Sequence, residues 1–240
     1  MVERQIKSKQ RVADHGEVYT NEREVKAMCD LVKDECERIE SRFLEPACGN
    51  GNFLTEILAR KLAVVTAKYS KDVSQWEKYS FIAVSSLYGV ELLQDNTVEC
   101  RERLFAQWDA EYIKICKSAC SDEMRDAIRF LLSRNILCGN ALSLMQVDDK
   151  AQDTEKPIIF SEWELVDSND NLKRRDFRLD LMLKCSEETD KQKNTALPLF
   201  TNYEGMEYDR AKKAWIPKPI CEYAPIKYKL VAQQEGNHYV

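Results

Sequence analysis

The stretch "FLEPACGNGNFL", residues 43–54, decides the fold of this chain. It joins a short apolar run to a Glu-Pro pair and then to Gly49 and Gly51, although the chain has only seven glycines in 240 residues. A strand that turns through glycines into a helix lets a ligand approach backbone that Cβ atoms would otherwise block. The N-terminus of the helix that follows offers unpaired N–H groups. The stretch therefore predicts a strand, a turn and a helix arranged around a ligand.

Apolar periodicity on both sides of this stretch predicts alternating helices and strands. The predicted elements are a helix from Asn21, a strand at 42–44, a helix over 53–69, a strand within 81–92, helices over 97–120 and 121–135, and a strand and turn over 135–142. This alternation indicates βαβ units and a parallel sheet. We expect extended chain over the first twenty residues, a loop at 147–156, a strand over 157–167 and little helix after residue 194.

Composition narrows the class of protein. The formal net charge of −5 argues against a chain that grips nucleic acid alone, because phosphate contacts need clustered Lys and Arg. No apolar run of membrane-spanning length occurs, and the polar N-terminus does not resemble a secretory signal. Nine cysteines without a CxxC pair, together with two histidines, do not form a plausible zinc set. We expect a cytoplasmic protein with reduced thiols, no metal and no membrane contact.

The acidic residue before the glycines indicates the charge of the ligand. Gly49-x-Gly51 is not the GxGxxG pattern of dinucleotide enzymes, and Glu45 would repel a pyrophosphate. A ligand with a positive charge would be favoured instead, and S-adenosylmethionine carries both a sulfonium and an amino group. Glu91, at the end of the second predicted strand, is the residue type needed to accept hydrogen bonds from both ribose hydroxyls.

Four segments resemble, in this order, motifs of adenine-specific (N6) DNA methyltransferases of restriction–modification systems. They are "GEVYTN" (16–21), "FLEPACGNGNF" (43–53), "GVEL" (89–92) and "NILCGNAL" (135–142). The order is similar to that of type I modification subunits and type IIG enzymes, and the resemblance covers roughly residues 10 to 145. It implies a Rossmann-like α/β methyltransferase fold with a mainly parallel sheet. The implied domains are an N-terminal helical lead-in (1–41), a S-adenosylmethionine-binding domain (42–165) and an irregular C-terminal extension (166–240) that completes the sheet or binds a partner.

The resemblance also implies a cofactor site. Tyr19 and Thr20 would contact the methionine carboxylate end, Phe53 would line the pocket floor, and Leu92 would pack on the adenine. Asn140 stands where the family usually has an Asp that accepts from the adenine amino group. The full set implied for S-adenosylmethionine is Tyr19, Thr20, Glu45, Pro46, Ala47, Gly49, Asn50, Gly51, Asn52, Phe53, Glu91, Leu92, Asn140 and Ala141.

The family's catalytic signature, Asp/Asn-Pro-Pro-Tyr/Phe, is missing. In that signature a polar side chain and a proline carbonyl accept from the target amine, and the aromatic residue stacks on the flipped base. No Pro-Pro pair occurs in the 240 residues. Ser161, Glu162 and Trp163 are the nearest substitute by position, and Trp163 could stack on a base. The catalytic residues are therefore unassigned.

Three interpretations follow. In the first, the chain is the cofactor-binding subunit of a DNA adenine-N6 methyltransferase, and a second polypeptide supplies the catalytic loop and target recognition, so that DNA is contacted through that partner. In the second, it is a catalytically inactive S-adenosylmethionine-binding or regulatory protein. In the third, it methylates a different acceptor, with Glu162 as the base.

Overall fold

A computed structural model describes residues 6–166, 170–184, 205–210, 214–234 and 238–239. The α-helices are α1 Lys9–His15, α2 Glu22–Leu31, α3 Lys33–Glu37, α4 Asn52–Tyr69, α5 Val73–Ser85, α6 Gln94–Cys116 and α7 Asp122–Asn135, and 3₁₀ helices cover Lys117–Ala119 and Tyr228–Gln234. The strands are β1 Phe43–Glu45, β2 Leu87–Glu91, β3 Ile136–Cys138, β4 Met145–Val147, β5 Asp153–Pro157, β6 Ile159–Leu165, β7 Asn171–Arg178, β8 Met206–Asp209, β9 Ala214–Pro217, β10 Cys221–Tyr223, β11 Ile226–Lys227 and β12 His238–Tyr239.

A three-stranded parallel sheet in the order β1-β2-β3 carries the N-terminal half of the fold. Gly89 of β2 pairs with Glu45 on one side and with Ile136 on the other, so the strand ends lie in register. All five residues of β2 are buried, as expected for a central parallel strand covered on both faces. The predicted βαβ alternation and parallel pairing are therefore confirmed for these strands.

Different layers cover the two faces of this sheet. Leu87 packs into the large core formed mainly by the helices, whose apolar members include Leu54, Trp76 and Trp108. Tyr88, the next residue along β2, packs on the opposite face against Ile158, Phe160 and other apolar side chains. The period-2 alternation of strand side chains therefore divides the interior into two cores.

A second sheet is antiparallel. Strands β6 and β7 pair over the whole of β6, from Ile159 to Leu165, and β7 also pairs with β10 and β11, while β12 extends β10. Parallel pairing is thus confined to the sheet of β1, β2 and β3, and the strands of the second sheet pair antiparallel. The expectation of a mainly parallel sheet is therefore wrong for the described strands. The predicted boundary after residue 165 falls between β6 and β7, the two arms of one hairpin.

One local expectation is confirmed and two are wrong. The helix predicted from Asn21 is α2, and the Asn21 side chain accepts from the Arg23 N–H and caps it. The first twenty residues are not simply extended, because α1 begins at Lys9, and the Ser8 side chain caps it by accepting from the Arg11 N–H. Residues 147–156 are not only a loop, because β4 and β5 form an antiparallel hairpin there. Residues 1–5 of the lead-in and 185–204 of the extension lie outside the described residues.

Two composition-based expectations can be compared with the described residues. The described cysteines at positions 29, 36, 48, 100, 116, 120 and 138 are free thiols; Cys185 lies outside the described residues. Within the same part of the chain, no helix has both the length and the apolar character needed to cross a membrane.

Candidate functional site

A cavity of about 560 Å³ opens at the carboxyl ends of the three parallel strands. Glu45 ends β1, Glu91 ends β2, and Gly139 follows β3, so each strand delivers residues to the cavity wall. Ligands of open α/β sheets bind at this edge, because the strand ends and the following turns converge there.

The glycine turn is fixed to β2 by hydrogen bonds. The Cys48 N–H donates to the Val90 carbonyl over 3.0 Å, and the Gly51 N–H donates back to the Cys48 carbonyl over 2.8 Å. Gly49 and Gly51 have φ angles of +53° and +91°, which favour glycine. Gly51 directly precedes α4, and its conformation turns the chain from the loop into the helix. The quoted stretch therefore forms the strand, turn and helix that its residues predict.

Thirteen of the fourteen predicted cofactor residues line the cavity. Gly51 is the exception, because it lies behind the loop against Cys100 and shapes the turn from there. Their roles toward a ligand remain predictions. The cavity also has lining residues that the sequence interpretation did not single out: Gly16, Glu17, Val18, Cys48, Leu93, Asn96, Gly139 and Leu142. Gly16, Glu17 and Val18 belong to the quoted "GEVYTN" segment, so that motif carried a signal for them.

Glu91 connects the two sides of the cavity. The residue is 8% exposed, and its carboxylate accepts from the Gly49 N–H over 2.9 Å and from the Leu93 N–H over 3.1 Å. The side-chain amide of Asn96 donates to it over 3.3 Å. A carboxylate has about four lone-pair positions, so these three donors leave capacity for a ligand hydroxyl.

The segment before α2 packs on the glycine turn. A Cβ on Gly49 would lie 3.2 Å from Cε1 of Tyr19. The absence of a side chain at Gly49 therefore lets the tyrosine ring pack directly on the turn. The Tyr19 hydroxyl donates to Glu17 over 2.7 Å, and Asn52 donates from its side-chain amide to the Thr20 carbonyl over 3.0 Å. Motifs separated by more than twenty residues in the chain therefore form one wall of the cavity.

Asn140 shapes the turn after β3. Its side-chain oxygen accepts from the Leu142 N–H over 2.9 Å, and its amide nitrogen donates to Asp153 over 2.9 Å. This is the local side-chain-to-backbone bonding for which Asn is favoured in turns. The oxygen that the family resemblance assigns to the adenine amino group thus already has one partner and one remaining lone pair.

The cavity lining is acidic. It contains the carboxylates of Glu17, Glu45 and Glu91, and none of its lining residues is Lys, Arg or His. Glu17 forms an ion pair with Arg11, which does not line the cavity. Burial raises the pKa of Glu45 above its ordinary value, and a hydrogen bond from the Ala47 backbone acts in the opposite direction. A cationic group beside Glu45 would relieve this cost of burial.

The nearest substitute for the missing catalytic signature lies elsewhere. Ser161 and Glu162 line a different, apolar cavity of about 160 Å³, and Glu162 forms ion pairs with Arg42 and Arg175. Trp163 is 9% exposed, and its indole N–H donates to Asn135 over 2.8 Å. The Trp163 ring is enclosed in the core and is therefore not available to stack on a base, which removes the option that its position offered. Glu162 is not placed to act as a base at the strand-end cavity.

The structure forms no group of three or more Asp, Glu, His or Cys side chains suited to a metal ion within its described residues. The cavity therefore has oxygen acceptors and apolar walls, with backbone N–H groups at the start of α4.

Comparison with known proteins gives one match. Residues 19–158, more than half of the chain, match the family model described as "MmeI, DNA-methyltransferase domain". No curated protein and no solved structure shows a significant match. The matched residues include the three parallel strands and all the residues that line the cavity except Gly16, Glu17 and Val18. The chain therefore belongs to the MmeI DNA-methyltransferase family, which indicates a DNA methyltransferase of the restriction–modification type.

Proposed function

We propose that this chain binds S-adenosylmethionine in the strand-end cavity as the methyl donor for adenine N6 in DNA. In this proposal the three parallel strands are the cofactor-binding half of a Rossmann-like methyltransferase fold. A second polypeptide supplies the catalytic loop and the target recognition. When bound, the cofactor supplies an electrophilic methyl group on its sulfonium. The residues of this chain hold and orient it.

One observation carries the proposal: the cavity places three carboxylates and no basic side chain around the carboxyl ends of a parallel sheet. Pyrophosphate and triphosphate groups would be repelled there, since like charges a few ångströms apart cost several kcal/mol at the effective dielectric of a protein surface, about 4 kcal/mol at 4 Å. A nucleoside that carries sulfonium and ammonium groups has the opposite charge. The acidic lining therefore favours S-adenosylmethionine over ATP or NAD.

The polar atoms of the cavity fit this ligand. The side-chain oxygen of Asn50 is buried and has no hydrogen-bond partner within the described residues. A buried orphan acceptor costs free energy, which an ammonium donor would recover. Glu91 has acceptor capacity for ribose, and Glu45 offers a carboxylate for the positive groups. The residues present thus fit S-adenosylmethionine at its ribose and at its amino acid end.

Isothermal titration of the protein tests the proposal. We expect S-adenosylmethionine to bind with a dissociation constant at least tenfold lower than that of ATP. Tenfold corresponds to about 1.4 kcal/mol, which is less than the cost of about 4 kcal/mol for one like-charge contact at 4 Å. Adenosine serves as the control for the uncharged part of the ligand. Binding of ATP at equal or higher affinity would contradict the acidic-cavity argument, and absence of S-adenosylmethionine binding would end the proposal.

Affinity should also depend on pH through Glu45. Burial raises the pKa of this carboxyl in the free protein, and a bound cation would lower it, so the bound state holds fewer protons. Affinity is then fully present above the free-state pKa and falls as the pH decreases through it. Titrations between pH 8 and pH 5 should show this decrease in the wild type and a flatter profile in Glu45→Gln. An identical slope in the variant would assign the pH dependence to another group.

The acceptor side of the reaction should be absent from the chain alone. The 240 residues contain no Pro-Pro pair, and the nearest substitute by position is enclosed outside the cavity. With radiolabelled cofactor and adenine-containing duplex DNA, we expect the purified chain to bind cofactor but to transfer no label to DNA. Label on DNA would show that the acceptor residues lie within these 240 residues, and the partner polypeptide would then be unnecessary.

A further inference from the structure

A network of charged and polar groups joins the N-terminal segment to the candidate cofactor site. We use "N-terminal strap" for residues 7–19, which include α1 and lead to the cavity wall. Arg11 contacts Asp95 at the start of α6 over 2.7 Å and also pairs with Glu17. Lys7 forms an ion pair with Glu99 over 2.6 Å. The strap is therefore fixed to the first turn and a half of α6 by ion pairs.

Asn96 lies at the centre of this network. Asn96 is 1% exposed. Its side-chain oxygen accepts from Lys7 over 2.6 Å and lies 2.9 Å from the Tyr19 hydroxyl, whose single hydrogen it shares with Glu17. Its amide nitrogen donates to Glu17 over 2.6 Å and to Glu91 over 3.3 Å. A side-chain amide has two hydrogens and two lone pairs. Glu17 and Glu91 take both hydrogens and Lys7 takes one lone pair, while the second lone pair faces the shared Tyr19 hydrogen.

Three of the four Asn96 partners belong to the strap, and the fourth is Glu91. If the strap leaves α6, the amide loses Lys7, Glu17 and Tyr19, and nothing on the strap side then holds its N–H toward Glu91. The same amide separates the carboxylates of Glu17 and Glu91, whose negative charges would otherwise face each other at short range. Of the three hydrogen bonds that Glu91 accepts, the one from Asn96 therefore depends on whether the strap is docked, while those from the Gly49 and Leu93 N–H groups do not.

We infer that Asn96 is a positioning residue of the cofactor site, and that it couples docking of the N-terminal strap to binding of the ribose at Glu91. This inference rests on the proposed function, because it requires that Glu91 accept from a cofactor. By linkage, cofactor binding strengthens strap docking by the same factor by which strap docking raises cofactor affinity.

The coupling has an ionic-strength dependence. Asp95 and Arg11 are partly exposed, with 54% and 26% of their side-chain surface accessible. Interactions between exposed charges are screened by salt. Because higher salt concentration weakens these ion pairs, it should release the strap from α6. The affinity for S-adenosylmethionine should then decrease, although the cofactor itself contacts only the cavity. A variant without the Arg11 ion pairs should show a weaker salt dependence than the wild type.

The test uses Arg11→Ala, Asn96→Ala and the double variant in titrations with S-adenosylmethionine. Arg11 does not line the cavity, yet we expect Arg11→Ala to lower affinity roughly tenfold, a usual size for such coupling. The double variant should bind no more weakly than Asn96→Ala alone, because both changes interrupt one route. Lys26→Ala, which removes an exposed ion pair with Glu22 on α2, is the matched control and should bind as the wild type does.

Hydrogen exchange provides the second readout. Amides of the strap should exchange more slowly when cofactor is added to the wild type, and this change should be lost in Asn96→Ala. If Arg11→Ala releases the strap and still binds cofactor like the wild type, the coupling is overturned while the proposed function stands. If the wild type binds no cofactor, the proposed function fails and the coupling fails with it.

Discussion

Replacing Glu91 with alanine is expected to weaken S-adenosylmethionine binding about a hundredfold while the protein stays folded. A hydrogen bond to an ionised acceptor contributes roughly 1.5–3 kcal/mol, and the ribose would make such bonds with its hydroxyls. The variant also removes the acceptor of the Gly49 N–H, so the glycine turn keeps only the Cys48 N–H bond to Val90 as its hydrogen bond to β2 among those described above. Titration calorimetry measures the loss of affinity. The affinity of Glu91→Gln should lie between those of the wild type and Glu91→Ala, because glutamine keeps one acceptor oxygen without the charge.

Glu77→Ala is the matched control for this result. Glu77 is 3% exposed, accepts from the Tyr112 hydroxyl over 2.7 Å, and lies on α5 outside the strand-end cavity. Its replacement should lower the melting temperature but leave cofactor affinity unchanged. If Glu91→Ala binds within about threefold of the wild type, less than 1 kcal/mol, Glu91 is not the ribose acceptor, and the assignment of the cavity fails with it.

The sequence predicts the cavity well because its signals are local. A strand end, an acidic residue and a glycine turn lie within a few positions of one another, and the sheet then brings corresponding ends together by its parallel register. Glu45, Glu91 and Asn140 meet for this reason, although about fifty residues separate each from the next. Gly51 is expected to contact the cofactor but does not line the cavity. Glycine is needed there for its backbone angle and for the close approach of Cys100, and neither requirement involves a ligand.

Contacts that depend on tertiary packing could not be predicted in the same way. Asn96 is one polar residue near the start of a long helix, and only the docked strap makes it a shared partner of Glu17 and Glu91. Trp163 is predicted to follow a strand, where it could stack on a base, but it lies within β6, and its ring packs against Phe130 while its indole N–H donates to Asn135, both on α7. The helix α1 is only seven residues long and lacks a strong apolar period, so propensity alone could not separate it from extended chain.

The acceptor side shows where a motif argument and the structure support each other. The cofactor half has its carboxylates, glycine turn and register in place, and the family match covers this half. Ser161 and Glu162 face a separate apolar cavity, so within the described residues no substitute for the proline signature reaches the cofactor cavity. This separation is the reason why the proposed function assigns the methyl donor to this chain and the target base to a partner.

Replacing Gly51 with alanine is expected to lower the free energy of unfolding by about 3 kcal/mol, since an incompatible backbone angle and overpacking each cost roughly 1–3 kcal/mol. Gly51 has a φ of +91°, and a Cβ there would lie 2.7 Å from Sγ of Cys100, which is fully buried. Thermal unfolding should show a melting temperature that is lower by roughly 6–12 °C for a chain of this size.

Gly16→Ala is the matched control, because Gly16 has a φ of +65° but no atom within 4 Å of its Cβ position, so only the backbone cost remains. Cys100→Ala should make the double variant less unstable than the sum of the single changes, since it opens the space that the new methyl group needs. Equal losses in Gly51→Ala and Gly16→Ala would show that backbone angle alone, and not the approach of α6 to the turn, requires glycine at this position.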